Sequence, residues 1–111
     1  MKYIITENRL NNLIFKFLDV KLNGIEQRKG EYVDIIFTFP NKKYGIMGWE
    51  TSGDLFVYYE LIMEISNFFG IEQDDTLNVL GKWVEDRYNL MVMNTIVRDK
   101  GSKYKLMIGR N

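Results

Sequence analysis

The chain has 111 residues and a formal net charge of zero, and 46% of its residues are hydrophobic against 27% that are charged. This composition is typical of one globular domain and excludes a largely disordered chain. Because the sequence contains no cysteine and no histidine, it also excludes disulfide bonds, thiolate metal sites and a catalytic triad built on histidine.

The first half of the chain predicts a strand, a helix and three further strands. Residues 2–5 predict the first strand, and Thr6 is a favourable N-cap for the helix that follows. Apolar residues recur at helical spacing from Leu10 to Leu18, which predicts an amphipathic helix over about 7–21. Three strand-like segments separated by short turns follow and predict an antiparallel meander. They span residues 31–39, 44–50 and 55–58.

The second half predicts two helices and a C-terminal hairpin. Apolar residues at helical spacing from Leu61 to Phe69 predict the second helix, which Gly70 ends. A third helix begins near Asp74 or Asp75, either of which would cap it, and continues to about Tyr88. Two segments in which apolar and polar residues alternate then predict strands joined by a tight turn. They span residues 90–98 and 103–108.

Together these elements predict an α+β fold in a single domain over residues 1–111. It has a mostly antiparallel sheet of five to six strands and three helices, in the order β-α-β-β-β-α-α-β-β. The helix positions expected to be buried are Leu13, Phe17, Ile65, Phe68, Leu80 and Val84. No apolar run approaches the ~20 residues of a membrane span, so we expect a cytoplasmic protein with no membrane partner.

The predicted sheet carries apolar residues on both faces, although a sheet packed on one side only would present polar residues on the other. The residues predicted to face the core are Val33, Ile35, Phe37, Phe39, Leu55, Val57, Val92, Ile96, Leu106 and Ile108. Those predicted to face away are Tyr32, Ile36, Phe56, Tyr58, Met91, Met93, Val97 and Met107. Methionine is common at adaptable binding surfaces and exposed apolar patches mark interfaces. The second set therefore predicts a protein interface formed by Phe56, Tyr58, Met91, Met93 and Met107. The alternative is that one of the helices covers this face as a second core layer.

The C-terminal segment is basic. Residues 98–111 carry five basic side chains and one acidic one, which leaves residues 1–97 with a net charge of −4. The residues that would contact nucleic-acid phosphates are Arg98, Lys100, Lys103 and Lys105. Lysines on a terminal strand also prevent edge-to-edge association of sheets. Because the rest of the chain is acidic and contains no RNA-recognition motif, nucleic-acid binding is the second interpretation.

Two groups of carboxylates are candidates for cation binding or acid–base chemistry. They are Glu72, Asp74 and Asp75, and Glu50, Asp54 and Glu60. The first group lacks the glycine and the closing glutamate of a calcium-binding loop, and helix capping explains it. Nothing in the sequence fixes the distances between the three carboxylates of the second group. We therefore predict no catalytic, metal or cofactor site, with a metal-dependent carboxylate enzyme as the least favoured alternative.

Two segments carry a resemblance to a known group of proteins. The first is the opening Met1-Lys2-Tyr3-Ile4-Ile5-Thr6-Glu7 before an amphipathic helix. The second is Phe68-Phe69-Gly70-Ile71 before a helix containing Trp83-Val84-Glu85 and Tyr88-Asn89-Leu90. In these segments the chain resembles small uncharacterised proteins of tailed bacteriophages of the marine and T4-like kind. The resemblance implies a phage origin and carries no function or site residue with it.

The sequence thus predicts a non-catalytic protein-interaction protein, encoded by a phage. Its partner would be a second copy of itself, a virion component or a host factor that it inhibits. Its location would be the host cytoplasm or the virion.

Overall fold

The computed structural model describes residues 7–42, 44–99, 106, 108 and 109. Along the chain the elements are α1 Glu7–Lys21, β1 Glu26–Lys29, β2 Ile35–Thr38, β3 Met47–Trp49, β4 Asp54–Tyr58, α2 Tyr59–Phe69, α3 Gln73–Tyr88 and β5 Asn94–Arg98. Three helices and a mostly antiparallel sheet of five strands confirm the predicted α+β class. The strand predicted at residues 2–5 lies outside the described residues, and so does most of the one predicted at 103–108.

The sheet follows the chain in the order β1-β2-β3-β4-β5. Strands β1 to β4 form an antiparallel meander, and β5 then pairs parallel to β4. The parallel pairing arises because α2 and α3 form the crossover between these two strands. Strand β1 was not predicted, since its four residues, Glu-Gln-Arg-Lys, are all exposed and contain no apolar alternation.

The main core lies between the helices and one face of the sheet. From the sheet it receives Phe37, Met47, Leu55 and Val57, and from the helices Ile14, Leu18, Leu61, Ile62, Ile65, Val79, Leu80, Trp83 and Val84. A buried hydrogen bond of 2.8 Å joins the hydroxyls of Ser66 and Thr76 and links α2 to α3 within this layer. Among the described residues, no helix is long and apolar enough to cross a membrane.

The second face of the sheet carries a smaller core made of Val33, Ile36, Phe56 and Leu106. The alternative that a helix covers this face is wrong for the described residues, because every buried apolar helix residue belongs to the main core. The cover comes instead from a bend at residues 31–34 and from Leu106. An added Cβ on Gly48 would lie 2.9 Å from the Leu106 side chain. The aliphatic side chain of Leu106 therefore crosses this glycine.

Four residues predicted to face the main core lie on the second face instead. They are Val33, Ile96, Leu106 and Ile108, while Val97 packs against the main core. The position of Ile96 on the second face follows from the parallel register of β5 and β4. In this register the Cα partner of Ile96 is Phe56, and that of Val97 is Val57. The position of Val33 on the second face follows from the bend, which interrupts the alternation of side chains between the two faces before Ile35.

The bend at residues 31–34 is fixed by one carboxylate. Asp34 accepts hydrogen bonds from the backbone N–H of Thr51 at 2.7 Å and from its hydroxyl at 2.5 Å. These two bonds, the hydroxyl first, hold the pKa of the Asp34 carboxyl below its usual value. They tie the bend to the turn between β3 and β4, and they thereby hold Val33 over the sheet.

Candidate functional site

The three helices do not bury all the apolar residues predicted to be in the core. Ile65, Leu80 and Val84 are fully buried as predicted, but Leu13 and Phe68 are exposed and Phe17 is only partly buried. Helix α1 carries more apolar residues than one face can bury. Ile14 and Leu18 occupy the core-facing positions, so the neighbouring apolar stripe of the helix faces solvent.

The exposed stripe of α1 consists of Leu13, Phe17 and Val20. Their spacing of four and then three residues places them along one side of the helix. Leu13 is 46% exposed and Val20 is 79% exposed. Val20 stands between Asp19 and Lys21, outside the stripe that the sequence predicts to be buried.

Helix α2 adds Phe68 to this stripe. Phe68 is 68% exposed, and its ring stacks on that of Phe17 with ring centroids 4.9 Å apart. Phe69 meets both rings edge-on, at 5.4 Å from Phe17 and 5.0 Å from Phe68. Gly70, in the left-handed conformation with φ of 64°, ends the helix directly after these two rings, as predicted. Phe69 packs against the main core and is partly buried, whereas Phe68 is left facing solvent.

Leu13, Phe17, Val20 and Phe68 are hereafter called the helical surface. A shallow groove between α1 and α2 is lined by three of these residues, Phe17, Val20 and Phe68, and its lining also includes Lys16, Lys21 and Glu64. Lys21 and Glu64 form an ion pair across this groove. The positive side chains therefore stand on the α1 side and the negative one on the α2 side.

The size of the helical surface is that of a binding patch. Leu13, Val20 and Phe68 together leave on the order of 300 Å² of side-chain surface exposed, the size of the largest apolar patch on many monomers and one that is often functional. The rings of Phe17, Phe68 and Phe69 also hold one another in place, so little conformational freedom would be lost on binding.

The interface predicted from the sequence is not a continuous surface. Phe56 is only 4% exposed and lies in the second core, and Tyr58 is half-buried. Met91 and Met93 are exposed next to the start of β4, whereas Tyr58 is at its end, about 13 Å away along the strand. Met107 lies outside the described residues. The structure thus brings together Met91 and Met93 but not the whole predicted set.

The backbone around the two methionines is well anchored. The Trp49 indole N–H donates to the Met91 carbonyl at 2.9 Å, and the Met93 N–H donates to the Gly53 carbonyl at 2.7 Å. The side chains of Met91 and Met93 are therefore held on the surface beside the turn between β3 and β4. They form a second, smaller apolar patch, at the end of the sheet where β4 begins.

Of the four predicted phosphate-binding residues, the structure describes only Arg98. Its guanidinium lies 4.7 Å from the centroid of the Phe56 ring, on the second face of the sheet. Its Nε is buried without a hydrogen-bond partner among the described residues. Lys100, Lys103 and Lys105 lie outside the described residues.

The two carboxylate groups are spread along their elements. Glu72 is the N-cap residue of α3, and Asp74 and Asp75 lie exposed in its first turn, where negative charge favours the helix dipole. Asp54 and Glu60 are separated by the length of β4, and Asp54 accepts a hydrogen bond of 3.1 Å from the side chain of Asn94. In the described part of the chain no three acidic side chains converge on a site for a metal ion.

A charged cluster joins α1 to α3. The Arg87 guanidinium binds both oxygens of Asp19, at 2.8 Å from Nε and 2.7 Å from its terminal nitrogen. The Trp83 indole N–H donates to the same carboxylate at 2.9 Å. The Arg87 guanidinium holds the pKa of the Asp19 carboxyl below its usual value, while burial raises the pKa of Tyr88 nearby. The cluster is partly exposed and ties α1 to α3, so we expect it to stabilise the packing of these two helices.

Replacing Asp19→Asn is expected to lower the free energy of unfolding at neutral pH by about 0.5–1 kcal/mol, a value reduced because the carboxylate is partly solvated. Since the folded-state pKa of Asp19 is depressed, its contribution is present above the unfolded value of about 3.9. This stabilisation by Asp19 is lost as the pH falls from the unfolded pKa value through the lower pKa of the folded state. Urea melts of both proteins at pH 7 and at low pH measure the difference. A difference that persists unchanged at low pH would contradict this role.

A deeper cleft of about 700 Å³ lies between the end of α1, the start of α2 and the turn between β2 and β3. Lys21, Lys42, Tyr58, Glu60 and Glu64 contribute polar groups to a lining that is otherwise largely apolar. Among the described lining residues, two are basic and two are acidic, and Lys21 is paired with Glu64. The lining therefore favours neither an anionic nor a cationic ligand.

Comparison of the chain with protein-family models, with curated proteins and with solved structures finds no match in any of the three.

Proposed function

We propose that this chain is a non-catalytic protein-interaction protein that binds a protein partner through the helical surface. The observation that carries the proposal is the exposure of Phe68, stacked on Phe17, beside an almost fully exposed Val20. Aromatic anchors on a preformed apolar surface are typical of interface hot spots. The phage origin rests on the sequence resemblance, and it would make the partner a virion component, a host factor or a second copy.

The titratable groups support a non-catalytic role. With no histidine in the chain, a general base would have to be a carboxylate, a lysine or a tyrosine. The carboxylates with clearly shifted pKa values, Asp19 and Asp34, are shifted downward and are engaged in bonds that hold the fold together. A catalytic acid or base near neutral pH would instead need a raised carboxyl pKa or a lowered lysine pKa.

Nucleic-acid binding is the less favoured function. It would rest on Arg98, Lys100, Lys103 and Lys105, but the Arg98 guanidinium packs on the Phe56 ring. A guanidinium used in this way stabilises the second face of the sheet, and its Nε is not directed to solvent.

Phe68→Glu is expected to abolish capture of the partner when the tagged chain is purified from its host cell. Burying the new carboxylate against an apolar partner is costly, and losing a hot-spot aromatic typically weakens binding by ~2 kcal/mol or more. Phe68 is largely exposed, so the fold should be retained. Quantitative mass spectrometry of the captured proteins measures the loss.

The matched control is Tyr59→Glu, which also replaces an exposed aromatic residue of α2, more than two turns away and outside the groove. It should capture the partner as the original chain does. Equal capture by the Phe68→Glu variant would contradict the proposed function.

A further inference from the structure

We infer that the sheet edge formed by β5 pairs with β5 of a second copy of this chain in antiparallel orientation, so that two five-stranded sheets join into one. This contact lies on a different surface from Phe68 and does not rest on the proposed function. It is carried by the direction of the backbone groups of β5, by the difference between the two edge strands, and by the polar groups at the two ends of β5.

Half of the backbone groups of β5 point away from the sheet. β5 is the last strand of the sheet, and among the described residues no strand pairs with its outer side. The Asn94 N–H donates to the Gly53 carbonyl at 3.2 Å, so the backbone groups of Asn94 are directed towards β4. In extended backbone the N–H and C=O of one residue point to the same side, and successive residues point to opposite sides. The N–H and C=O groups of Thr95 and Val97 therefore point outward, where an added strand would bind them.

The two edges of the sheet differ in how well they resist an added strand. At the other edge, all four residues of β1, Glu-Gln-Arg-Lys, are exposed, and the Lys29 carbonyl already accepts a hydrogen bond of 2.7 Å from the Gly109 N–H. Charged side chains, lysine above all, prevent edge-to-edge pairing. The centre of β5 consists of the uncharged β-branched residues Thr95, Ile96 and Val97, all partly buried. β5 is therefore the edge at which the sheet can be extended.

A two-fold axis at Ile96 satisfies the outward groups of both strands. It places Thr95 of one copy opposite Val97 of the other, and residues paired in this way exchange both of their backbone hydrogen bonds. The two Ile96 side chains meet at the axis on the second face of the sheet, where each already packs against the second core. The same register thus joins the smaller cores of the two copies.

The two ends of β5 are complementary in this register. Arg98 of one copy lies opposite Asn94 of the other. The Asn94 side-chain N–H donates to the Asp54 carboxylate at 3.1 Å, so a hydrogen-bond acceptor and a negative charge stand at the start of β5 and a positive charge at its end. Antiparallel pairing of two copies brings unlike ends together twice. A second copy therefore supplies the matching edge by symmetry.

The length of β5 indicates a weak, reversible dimer. Five residues of strand span about 17 Å, and contacts of this small size are transient. We expect a dissociation constant on the order of 200 µM. An association this weak is lost while a captured protein is washed, so it does not contribute to capture through Phe68.

Amide hydrogen exchange measured by nuclear magnetic resonance tests the inference. At about 50 µM the Thr95 and Val97 amides should exchange faster than those of Ile96 and Arg98, which donate to β4. At about 1 mM the exchange of Thr95 and Val97 should be about threefold slower, because the monomer fraction falls by that factor. Fast exchange of both amides at the two concentrations would overturn the inference. Equal protection of all four amides at about 50 µM would also overturn it, because the edge would then be covered within one chain.

A mixture of charge variants tests the register. Asn94→Lys places like charges opposite one another twice and should weaken the dimer about tenfold. Asn94 is exposed, so the fold should be retained. Mixing this variant with Arg98→Glu should restore the dimer, because the new lysine then lies opposite the new glutamate. An unfolded variant cannot give this recovery. If the mixture stays monomeric while the original chain dimerises, the pairing of β5 with β5 is wrong.

The matched control is Arg28→Glu, which makes the same change of charge on the exposed strand β1 at the other edge. It should dimerise as the original chain does, and so should Phe68→Glu, because neither residue lies in the contact. A dimer that is lost in Phe68→Glu and kept in Asn94→Lys would overturn β5 as the contact. Because capture through Phe68 is measured separately, failure of the β5 contact leaves the proposed function standing.

Discussion

Phe37→Ala is expected to lower the free energy of unfolding by about 3–5 kcal/mol, the range for removing a fully buried phenylalanine side chain. Phe37 lies in the central part of the sheet on β2, has no exposed surface, and its ring is 4.7 Å from that of Tyr88. Truncation would leave a cavity between the sheet and α3 that rigid neighbours cannot fill. A urea or thermal melt measures the change.

The matched control makes the same substitution at Phe68, a residue that is already two thirds exposed. Phe68→Ala loses its ring contacts with Phe17 and Phe69, so we expect a cost of about 1 kcal/mol or less. Equal costs for the two variants would mean that Phe68 belongs to the core. The helical surface would then not exist as described.

Gly45→Ala is expected to destabilise the fold by about 2–3 kcal/mol, because the new methyl group has no space. An added Cβ would lie 2.7 Å from the Phe37 carbonyl oxygen and 2.3 Å from the Ile36 side chain. The carbonyl is part of the backbone and accepts a hydrogen bond from the Ile46 N–H at 2.9 Å, so it cannot move away without breaking the sheet.

Gly70→Ala separates this steric effect from the general cost of replacing glycine. Gly70 has a positive φ of 64°, but nothing lies within 4 Å of an added Cβ. Its replacement should cost only the ~1 kcal/mol of the left-handed conformation. If Gly45→Ala melts at the same denaturant concentration as the original chain, the close approach of the strands at Ile36 and Phe37 is wrong.

The helices could be predicted because their signals are local. Apolar spacing gave α1 over 7–21, and the glycine after Phe69 ended α2, as the structure has them. Strand β1 could not be predicted, because its residues are polar and its pairing with β2 depends on residues 6 to 12 positions away. The side of the sheet that Ile96 faces also depends on a distant pairing, with β4 across two intervening helices.

The helical surface could not be predicted for a related reason. Periodicity identifies an apolar stripe but does not show how much of it the rest of the fold covers. On α1 the core accepts Ile14 and Leu18, and nothing among the described residues buries Val20. The only local sign was an excess of apolar residues: Val20 between two charged residues, and two adjacent phenylalanines at the end of α2.

The sheet-face prediction failed in part through the bend at residues 31–34. Alternation assigned Val33 and Ile35 to one face, but the hydrogen bonds from Thr51 to Asp34 turn the chain between them. A contact between residues 17 positions apart thus decides the direction of Val33. Met91 and Met93 are exposed, but the predicted interface to which they belong is not one continuous surface, since Phe56 is buried in the second core.

The most direct test of the helical surface compares two exposed apolar residues in one capture experiment. Phe68→Glu alters the helical surface, and Met93→Lys alters the patch at the end of the sheet, where the side chain is 66% exposed. Both tagged variants are purified from the host cell beside the original chain, and the captured protein is quantified, including untagged copies of the chain itself. We predict loss of capture with Phe68→Glu and unchanged capture with Met93→Lys. Capture that depends on Met93 and is indifferent to Phe68 would contradict the account.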